Sequence, residues 1–468
     1  MSKKQSYWRC QQVLLSPNKD LLSIFEYIGS ESNKIYNCSV YYARQIWFKA
    51  KRIVGKSELC AQMKHNPHFT AMYVSASQQV CNGVAESFKS FQKLNKLFWK
   101  GQLGYRPKPP AYRKSGLFTV SYPKRWLKLV GNKVRLPLGK QVKAWFGLSE
   151  FFIDMPSNLD WRQIREVRIL PRNGVFYAEF VYKIEPEVVD LDFSKALGID
   201  HGIDNWLTCV DTVGNSFIVD GKHIKSLNQW YNKRVATLKK GRDKNYWTKQ
   251  LAAVTEKRNR QMRDGINKAA RLVVNHCLKN GIGTLVFGWN QGQKHNANMG
   301  KRNNQQFVQI PTARLKQRIF QLCDQYGIKF LETEESYTSK ASALDNDEIP
   351  VFGEKPAEWK PSGKRVRRGL YRTALNWYIN ADCNGAMNIL RKVAGTIGID
   401  LMGLSRGALT TPLRVRLWTL NESPRLMTGE CQYTKTINED ADPAPIVVEA
   451  NRRTAVNRIE NPGAAPQG

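Results

Sequence analysis

Asp200 is the first residue in the sequence that indicates metal chemistry. It follows the short apolar stretch Leu197-Gly-Ile199 and lies two positions before Gly202. A carboxylate in the middle of such a strand is costly to bury unless another group compensates its charge. Mg²⁺ is a suitable partner, because it binds one or two carboxylates together with water and phosphate oxygens. A buried aspartate that is satisfied by hydrogen bonds explains the stretch equally well.

A second acid, Asp382, lies at the predicted start of a helix, in the stretch Ile379-Asn-Ala-Asp-Cys-Asn-Gly-Ala-Met-Asn-Ile-Leu390. The small residues Ala381, Gly385 and Ala386 allow the first turns of this helix to pack closely against a sheet. An acid near a helix N-terminus is also favoured by the helix dipole. Taken alone, Asp382 is therefore explained by helix stability.

The charge of the chain indicates nucleic acid as a partner. The 468 residues include 73 Lys and Arg against 39 Asp and Glu, a net charge of +34. Residues 396–468 are neutral, so the whole excess lies in residues 1–395. A body this basic repels itself unless a polyanion neutralises it, and nucleic acid is an extended polyanion. A merely basic surface is the alternative, although the ribosomal proteins that have one are normally much shorter.

The nine cysteines are scattered singly and form no Cys-x-x-Cys pair. This pattern predicts reduced thiols in a cytoplasmic protein and argues against a structural zinc site. No apolar run approaches the roughly 20 residues that cross a bilayer, and the N-terminus is polar, unlike a signal region. We therefore expect no membrane partner.

The elements that must position the two acids fall into two halves. Residues 6–15 alternate like a strand, 19–99 have helical spacing, and 104–116 form a Pro, Gly and basic connector. Strand-like runs between 117 and 185 predict a small antiparallel barrel. The first strand would join this barrel, which would make the helices an insertion into it.

The second half predicts an α/β core, because strands alternate with helices. Residues 196–210 have the pattern of a buried strand and 215–219 that of the next one, while 221–280 are helical and crowded with Lys and Arg. From residue 396 the periodicity is lost, which predicts a partly disordered tail.

In this order, and roughly 180 positions apart, the Asp200 and Asp382 segments resemble the RuvC-type nuclease segments of TnpB (OrfB) proteins, the transposon-encoded relatives of type V CRISPR effectors. The likeness is strong from 193 to 392 and loose before. It extends to the stretches Glu256–Arg271, Asn303–Pro311, Glu335–Lys340 and Lys364–Arg372.

The resemblance implies an α/β multidomain protein with an RNase H-like (RuvC) nuclease core, a small antiparallel β-barrel called the wedge, and a helical recognition insertion. The domains it implies are the first wedge strand (1–18), the recognition domain (19–103), the wedge barrel (104–190), the RuvC-like domain (191–395) and the neutral tail (396–468).

The function that the resemblance implies is RNA-guided cleavage of DNA. A monomer would bind one structured guide RNA from its own element, check a short motif beside the target and open the double-stranded DNA. Two Mg²⁺ ions would support hydrolysis of the phosphodiester in the cytoplasm, on the prokaryotic nucleoid. One alternative is a guided DNA-binding protein that does not cut. Another alternative is a DDE-type transposase. The long basic helical half and the lack of a helix-turn-helix or zinc motif argue against it.

One departure from the family concerns the third acid of the site. Relatives usually carry a glutamate at the end of the strand corresponding to Thr284–Phe287, but Gly288-Trp-Asn290 follows here. The next strand ends in Glu332-Thr-Glu-Glu335, and adjacent strand ends lie about 5 Å apart. We expect Glu335 to complete the metal site with the two aspartates, because it abuts a stretch that resembles the family. Glu334 is the second candidate, and without either the nuclease would be inactive.

Another departure concerns zinc. Many relatives insert a four-cysteine ribbon after the Thr-Ser segment, whereas the corresponding loop, 338–378, has no cysteine. Tetrahedral thiolate coordination is therefore impossible there, and we predict no zinc.

Basic, aromatic and amide side chains in four regions are the predicted nucleic-acid contacts. Basic residues on successive helical turns can follow an A-form backbone, amide and tyrosine side chains in the N-terminal helices can read base edges, and the connector can stack on guide RNA. The arginines at 364–368 can hold the zinc-less loop against phosphate. Core tyrosines, a solvated charge run and an exposed helix face are the alternatives. The predicted contacts are Tyr41, Arg44, Gln78, Gln79, Tyr112, Arg113, Arg234, Lys257, Arg258, Arg260, Arg263, Arg271, Arg365 and Arg368.

Overall fold

The structure is a computed structural model that describes residues 6–418, except 115, 188, 244, 291–309, 400 and 402–404. Within this part of the chain no helix is long and apolar enough to cross a membrane. Most of the family-like stretch 303–311 and the tail from residue 419 lie outside the described residues.

The N-terminal half contains seven strands and five α-helices among the described residues, and four of the helices are consecutive. This confirms the helical spacing predicted between 19 and 99. In chain order the elements are β1 (Tyr7–Leu14), α1 (Lys19–Ala50), α2 (Lys56–Met63), α3 (Pro67–Ala71), α4 (Val74–Trp99), β2 (Val120–Pro123), β3 (Lys128–Val130), β4 (Lys133–Pro137), α5 (Lys140–Phe146), β5 (Glu150–Asp154), β6 (Ile164–Arg172) and β7 (Val175–Ile184).

The strands of this half form two antiparallel sheets, in the orders β1-β7-β6-β2 and β3-β4-β5. β1 pairs with β7 along its whole length, from Tyr7 opposite Ile184 to Leu14 opposite Tyr177, so the first strand does join the later ones. Both sheets and the helices α1 to α4 share one hydrophobic core. The described pairing gives two sheets on one core, and a single closed barrel stays a prediction.

The C-terminal half is the predicted α/β core. Its elements are β8 (Asp192–His201), β9 (Asn205–Asp211), β10 (Ser216–Asp220), α6 (Lys222–Lys239), α7 (Lys249–Lys279), β11 (Ile282–Gly288), α8 (Thr312–Tyr326), β12 (Lys329–Thr333), β13 (Lys364–Arg367), β14 (Leu370–Arg372), β15 (Tyr378–Asn380), α9 (Ala381–Ile397), α10 (Arg406–Thr410) and β16 (Leu413–Val415).

A mixed six-stranded sheet, in the order β12-β11-β8-β9-β10-β16, is the centre of this half. β8 and β12 both run parallel to β11, whereas β9 is antiparallel to β8 and β10. Parallel neighbours end at the same edge of a sheet. The ends of β8, β11 and β12 are therefore close together, and this edge carries the predicted acids.

The prediction of a single strand over 196–210 was wrong, because the chain turns back after His201. β8 and β9 form a hairpin in which Asp200 is opposite Thr208. A Cβ atom at Gly202 would lie 2.6 Å from the carbonyl oxygen of Asn205, so a glycine is needed in this tight turn. Both arms are apolar, which is why the sequence resembles one long strand.

The end of the predicted tail, 441–468, for which we expected poor order, lies outside the described residues, whereas residues 396–418 are more regular than their sequence pattern indicates. Helix α9 continues to Ile397, and β16 pairs in parallel with β10, with Leu413 opposite Phe217. Leu417 is 1% exposed and packs in the core of the six-stranded sheet. A three-residue strand has too short a pattern to be recognised, and its position depends on a partner about 200 residues earlier.

Glu256 of α7 links the two halves. Its buried carboxylate accepts hydrogen bonds from Tyr177 Oη (2.5 Å), Asn173 Nδ2 (2.8 Å) and Arg263 (3.0 Å). Since Tyr177 and Asn173 belong to β7 and the turn before it, this network fixes the basic helix α7 against the N-terminal sheet.

We expect Leu417→Ala to lower the free energy of unfolding by about 2–5 kcal/mol, because it removes a buried side chain from the core. Urea denaturation followed by circular dichroism measures the change. The matched control is Leu413→Ala, since Leu413 is 58% exposed and its truncation should cost less than about 0.5 kcal/mol. Equal effects of the two substitutions would contradict the burial of Leu417 and the exposure of Leu413.

Candidate active site

A cavity of about 550 Å³ lies where the end of β8, the turn after it and the start of α9 meet. Its walls carry both acidic and basic side chains, so opposite charges face each other across a small volume. The charged residues that line it are Asp200, Asp204, Asp382, Lys222, Arg365, Arg368 and Arg414.

Asp200 lies near the end of β8, directly against helix α9. A Cβ atom at Gly385 would be 2.8 Å from Asp200 Oδ2, and one at Gly198 would be 2.6 Å from the carbonyl oxygen of Ala386. The small residues therefore allow the close packing that the sequence predicts. Burial raises the pKa of Asp200 well above its ordinary value, and the charges of Glu335 and Asp382 raise it further.

Asp382 is the second residue of α9, whose N-cap is Asn380. The Asn380 side chain accepts hydrogen bonds from the backbone N–H groups of Asp382 (3.0 Å) and Cys383 (3.1 Å). The Asp382 carboxylate accepts from Asn205 Nδ2 at 2.6 Å and from a guanidinium nitrogen of Arg365 at 3.1 Å. A cationic side chain thus already neutralises this acid.

The three glutamates at the end of β12 and just after it differ in their contacts. The side chain of Glu335 is 12% exposed, and its Oε2 lies 3.9 Å from His201 Nε2. Besides burial, the charge of Glu335 raises the pKa of Asp200. Glu334 instead pairs with Lys392 of α9, and this bond and those from Ser336 lower its pKa although burial opposes the change. Glu332 pairs with Lys316 at 2.6 Å. Of the two candidates, Glu335 is thus the one that lies beside His201, the neighbour of Asp200 in β8, and its role as a ligand stays a prediction.

Gly288, at the strand end without an acid, packs against helix α9. A Cβ atom there would lie 2.4 Å from Cδ1 of Ile389, so a side chain at this position would require Ile389 to shift. The two residues that follow contact the segment of Glu335: Trp289 N–H donates to the carbonyl oxygen of Thr333 at 2.8 Å, and Asn290 Oδ1 accepts from Glu335 N–H at 3.1 Å.

The described residues contain no group of three His, Cys, Asp or Glu side chains that is already arranged to hold a metal ion. The donors present nevertheless fit Mg²⁺, which prefers carboxylate oxygens. A cation would also relieve the mutual repulsion that raises the pKa of Asp200. Arg365 pairs with the carboxylate of Asp382, so a metal ion that binds this carboxylate would compete with Arg365.

The loop that replaces the four-cysteine ribbon is held by hydrogen bonds. Asp345 accepts from the hydroxyls of Ser342 (2.5 Å) and Ser362 (3.1 Å), and Asp347 accepts from the backbone N–H groups of the same serines. Asn384 and Asn388 of α9 donate to the carbonyl oxygen of Ala341 at 2.8 Å. Part of the loop, 364–380, forms the small sheet β13-β14-β15. The absence of zinc stays a prediction.

The predicted contacts on α6 and α7 separate into two groups. Arg258 donates to Asn228 at 2.6 Å, Arg263 donates to Tyr177 and Glu256, and Arg271 donates to Tyr326 at 2.8 Å. These three arginines thus take part in intramolecular contacts. The exposed ones are Arg234, Lys257 and Arg260.

Among the N-terminal candidates, Tyr41 is 58% exposed, which excludes the alternative that it is a core residue. Gln78 and Gln79 are half-buried on α4. Other side chains attach the connector to α1: Arg44 donates to the carbonyl oxygen of Pro110 and packs on Tyr112, and Arg113 donates to Asn33 at 3.0 Å.

Two arginines of the hairpin Lys364–Arg372, Arg365 and Arg368, line the cavity. Arg368 pairs with Asp204 and Arg365 with Asp382. Asp204, Asn205, His201 and Asn290 were not identified from the sequence. Their only signal was proximity along the chain to Asp200 or to the strand end without an acid.

Three comparisons identify similar proteins. Residues 179–292 match the family model OrfB_IS605, described as a probable transposase. The TnpB-like protein ORF457 of Acidianus two-tailed virus is 22% identical over 426 residues, which cover 84% of this chain and 88% of that protein. The CRISPR-associated endodeoxyribonuclease Cas12f1 of Sulfoacidibacillus thermotolerans is 24% identical over 231 residues, 47% of this chain and 50% of that protein.

Among solved structures, a Cas12f1–sgRNA–target DNA complex matches with a TM-score of 0.49 and 16% identity, covering 80% of this chain and 83% of that one. The family model and the relatives confirm the resemblance to TnpB (OrfB) proteins that the Asp200 and Asp382 segments predicted.

We expect Gly385→Ala to lower the thermal midpoint of unfolding, because the new methyl group would press on the carboxylate of Asp200. The control is Gly395→Ala in the same helix, where a Cβ atom meets nothing within 4 Å. That change should stabilise the protein by about 0.5–1 kcal/mol through helix propensity. Thermal melts of both variants without metal test the difference, and a similar gain in both would contradict the close packing.

We expect Asp200→Asn to stabilise the metal-free protein at neutral pH, because it removes a buried charge. The folded-state pKa of Asp200 is raised above 3.8. The stabilisation by the neutral carboxyl is therefore complete below the unfolded pKa and is lost as the pH rises through the folded one. Thermal melts in a chelator should show a gain for the variant that shrinks as the pH falls. A gain that is independent of pH would count against the assignment.

Proposed function

We propose that this chain is the RNA-guided DNA endonuclease of a transposon, which binds a guide RNA and cuts double-stranded DNA beside a short motif. The observation that carries the proposal is that Asp200 and Asp382 line one cavity, while Glu335, from a third segment, lies 3.9 Å from His201, the residue after Asp200. The likeness to a TnpB-like protein and to a CRISPR-associated endodeoxyribonuclease supports it.

In this proposal the six-stranded half is the RNase H-like (RuvC) nuclease core. The two antiparallel sheets form the wedge, and α1 to α4 form the recognition domain. The protein acts as a monomer with one guide RNA, in the cytoplasm and on the prokaryotic nucleoid. Base pairing supplies the sequence specificity, so the protein needs mainly backbone contacts.

Asp200, Glu335 and Asp382 would hold two Mg²⁺ ions. When bound, Mg²⁺ supplies Lewis-acid stabilisation of the phosphodiester charge and a more acidic water. The chain contributes the positions of the ligands: Gly385 gives Asp200 its space, and Asn205 orients Asp382 through a 2.6 Å hydrogen bond.

The basic residues around the site would hold the DNA and RNA backbones. Arg365 and Arg368 line the cavity beside the acids, and a phosphate can replace the carboxylates that they now contact. Arg234, Lys257 and Arg260 are exposed on the long helices and would follow the heteroduplex.

The alternative is an RNA-guided DNA-binding protein that does not cut. One observation favours it: Arg365 already forms an ion pair with Asp382. Such a protein would act as a repressor or targeting factor with the same RNA and DNA partners.

The test is to sequence the RNA that copurifies with the protein from its host and then to assay Mg²⁺-dependent cleavage of a matching target. We expect Asp200→Ala and Asp382→Ala to lower the cleavage activity by more than the roughly 10–100-fold that is typical of changes to outer-shell residues. Both variants should still bind the RNA. Glu335→Gln should be as inactive, and the control Glu334→Gln should retain most activity.

Full cleavage by the two aspartate variants would refute the site, and equal, full activity of both glutamate variants would refute the role of Glu335. Guided DNA binding without cleavage by the parent protein would establish the alternative.

A further inference from the structure

The segment Trp289–Asn290 contacts the backbone around Glu335. β11 and β12 are parallel, with Gly288 opposite Thr333 in the last pair. Beyond this pair, Trp289 N–H donates to the Thr333 carbonyl oxygen, and Asn290 Oδ1 accepts from Glu335 N–H at 3.1 Å. The asparagine side chain thus continues the contact between the two strands to Glu335, after the backbone pairing has ended.

His201 contacts the other end of the same glutamate. It follows Asp200 in β8, its side chain is 6% exposed, and its Nε2 lies 3.9 Å from Glu335 Oε2. The imidazole ring packs against Trp289, with centroids 5.4 Å apart, and against Phe287 at 5.8 Å. The ring of Trp289 also lies 4.2 Å from Lys316 Nζ. Aromatic packing therefore fixes the position of the imidazole.

We propose that Asn290 and His201 are positioning residues for Glu335, and we call them, with Trp289, the Glu335 support. This inference rests on the proposed function, in which Glu335 is a metal ligand. Glu335 lies beyond the end of β12, where the regular ladder no longer fixes the backbone. Asn290 orders its backbone, and His201 limits the positions of its carboxylate, so less conformational entropy is lost when an ion binds.

The same contacts explain how an acid-free strand end serves the site. A Cβ atom at position 288 would lie 2.4 Å from Cδ1 of Ile389, so a side chain there would require Ile389 to shift. The two residues after position 288 then act on an acid of the neighbouring strand instead of supplying one. Outer-shell partners of this kind typically contribute 10–100-fold to metal affinity or activity.

The test is a titration of the full-length protein with Mn²⁺ alone, a probe for the Mg²⁺ site, followed by electron paramagnetic resonance. We expect Asn290→Ala and His201→Ala to weaken Mn²⁺ binding by about 10–100-fold. Asn290→Asp keeps the oxygen acceptor, and His201→Gln keeps a nitrogen near Glu335, so both should retain most of the affinity. The matched control is Asn158→Ala, which removes an exposed amide that is bonded to Gln11.

A double variant separates positioning from general packing. If Asn290 acts through Glu335, Asn290→Ala combined with Glu335→Gln should bind Mn²⁺ no more weakly than Glu335→Gln alone. Additive losses would overturn the proposal, as would parental affinity of Asn290→Ala and His201→Ala. If Asn290→Ala does not fold, the isosteric Asn290→Leu replaces it.

The Glu335→Gln variant distinguishes this proposal from the proposed function. Weak Mn²⁺ binding by Glu335→Gln with parental binding by the support variants would refute the support alone. Parental binding by Glu335→Gln would refute the ligand role of Glu335 and the support with it, whereas loss of binding in Asp200→Ala would still support the remaining metal site.

Discussion

The close contact between strand β8 and helix α9 determines where the two aspartates of the site lie. Gly198 and Gly385 remove the side chains that would separate the two elements, so the carboxylate of Asp200 is enclosed between backbone and helix. This enclosure raises the pKa of Asp200 and brings Asp382 into the same cavity. The close approach also places Cδ1 of Ile389 only 2.4 Å from where a Cβ atom of Gly288 would lie. The strand end without an acid is thus in direct contact with the helix.

Most of the architecture could be predicted, because amphipathic periods of 3.6 and 2 mark long helices and strands directly. The features that were missed depend on contacts that no local pattern records. The turn at Gly202 separates two apolar arms that resemble one strand, and β16 has only three residues. Within the site, the acids were recognisable by type and spacing, and the family-like stretch selected Glu335 over Glu334. His201 and Asn290 were not, since a neutral residue gains its role only through its neighbours in the fold.

The basic residues of the long helices do not all face solvent, although the sequence indicated one basic surface. Arg258, Arg263 and Arg271 lie on the long basic helix but form hydrogen bonds within the protein. They hold α7 to α6, to the N-terminal sheet and to α8. Their role is to give the surface a fixed shape, on which the exposed cations Arg234, Lys257 and Arg260 are displayed at defined positions.

The pairing of β16 with β10 has a consequence for the order in which the protein is made. The outer edge of the six-stranded sheet is covered by Leu413–Val415, whereas its partner β10 ends at Asp220. Domains fold from the N-terminus as the ribosome releases them. The edge of β10 therefore stays unpaired until nearly 200 further residues have been synthesised. During that interval the exposed backbone groups of β10 can pair with other strands, and the cavity lacks Arg414, which β16 supplies.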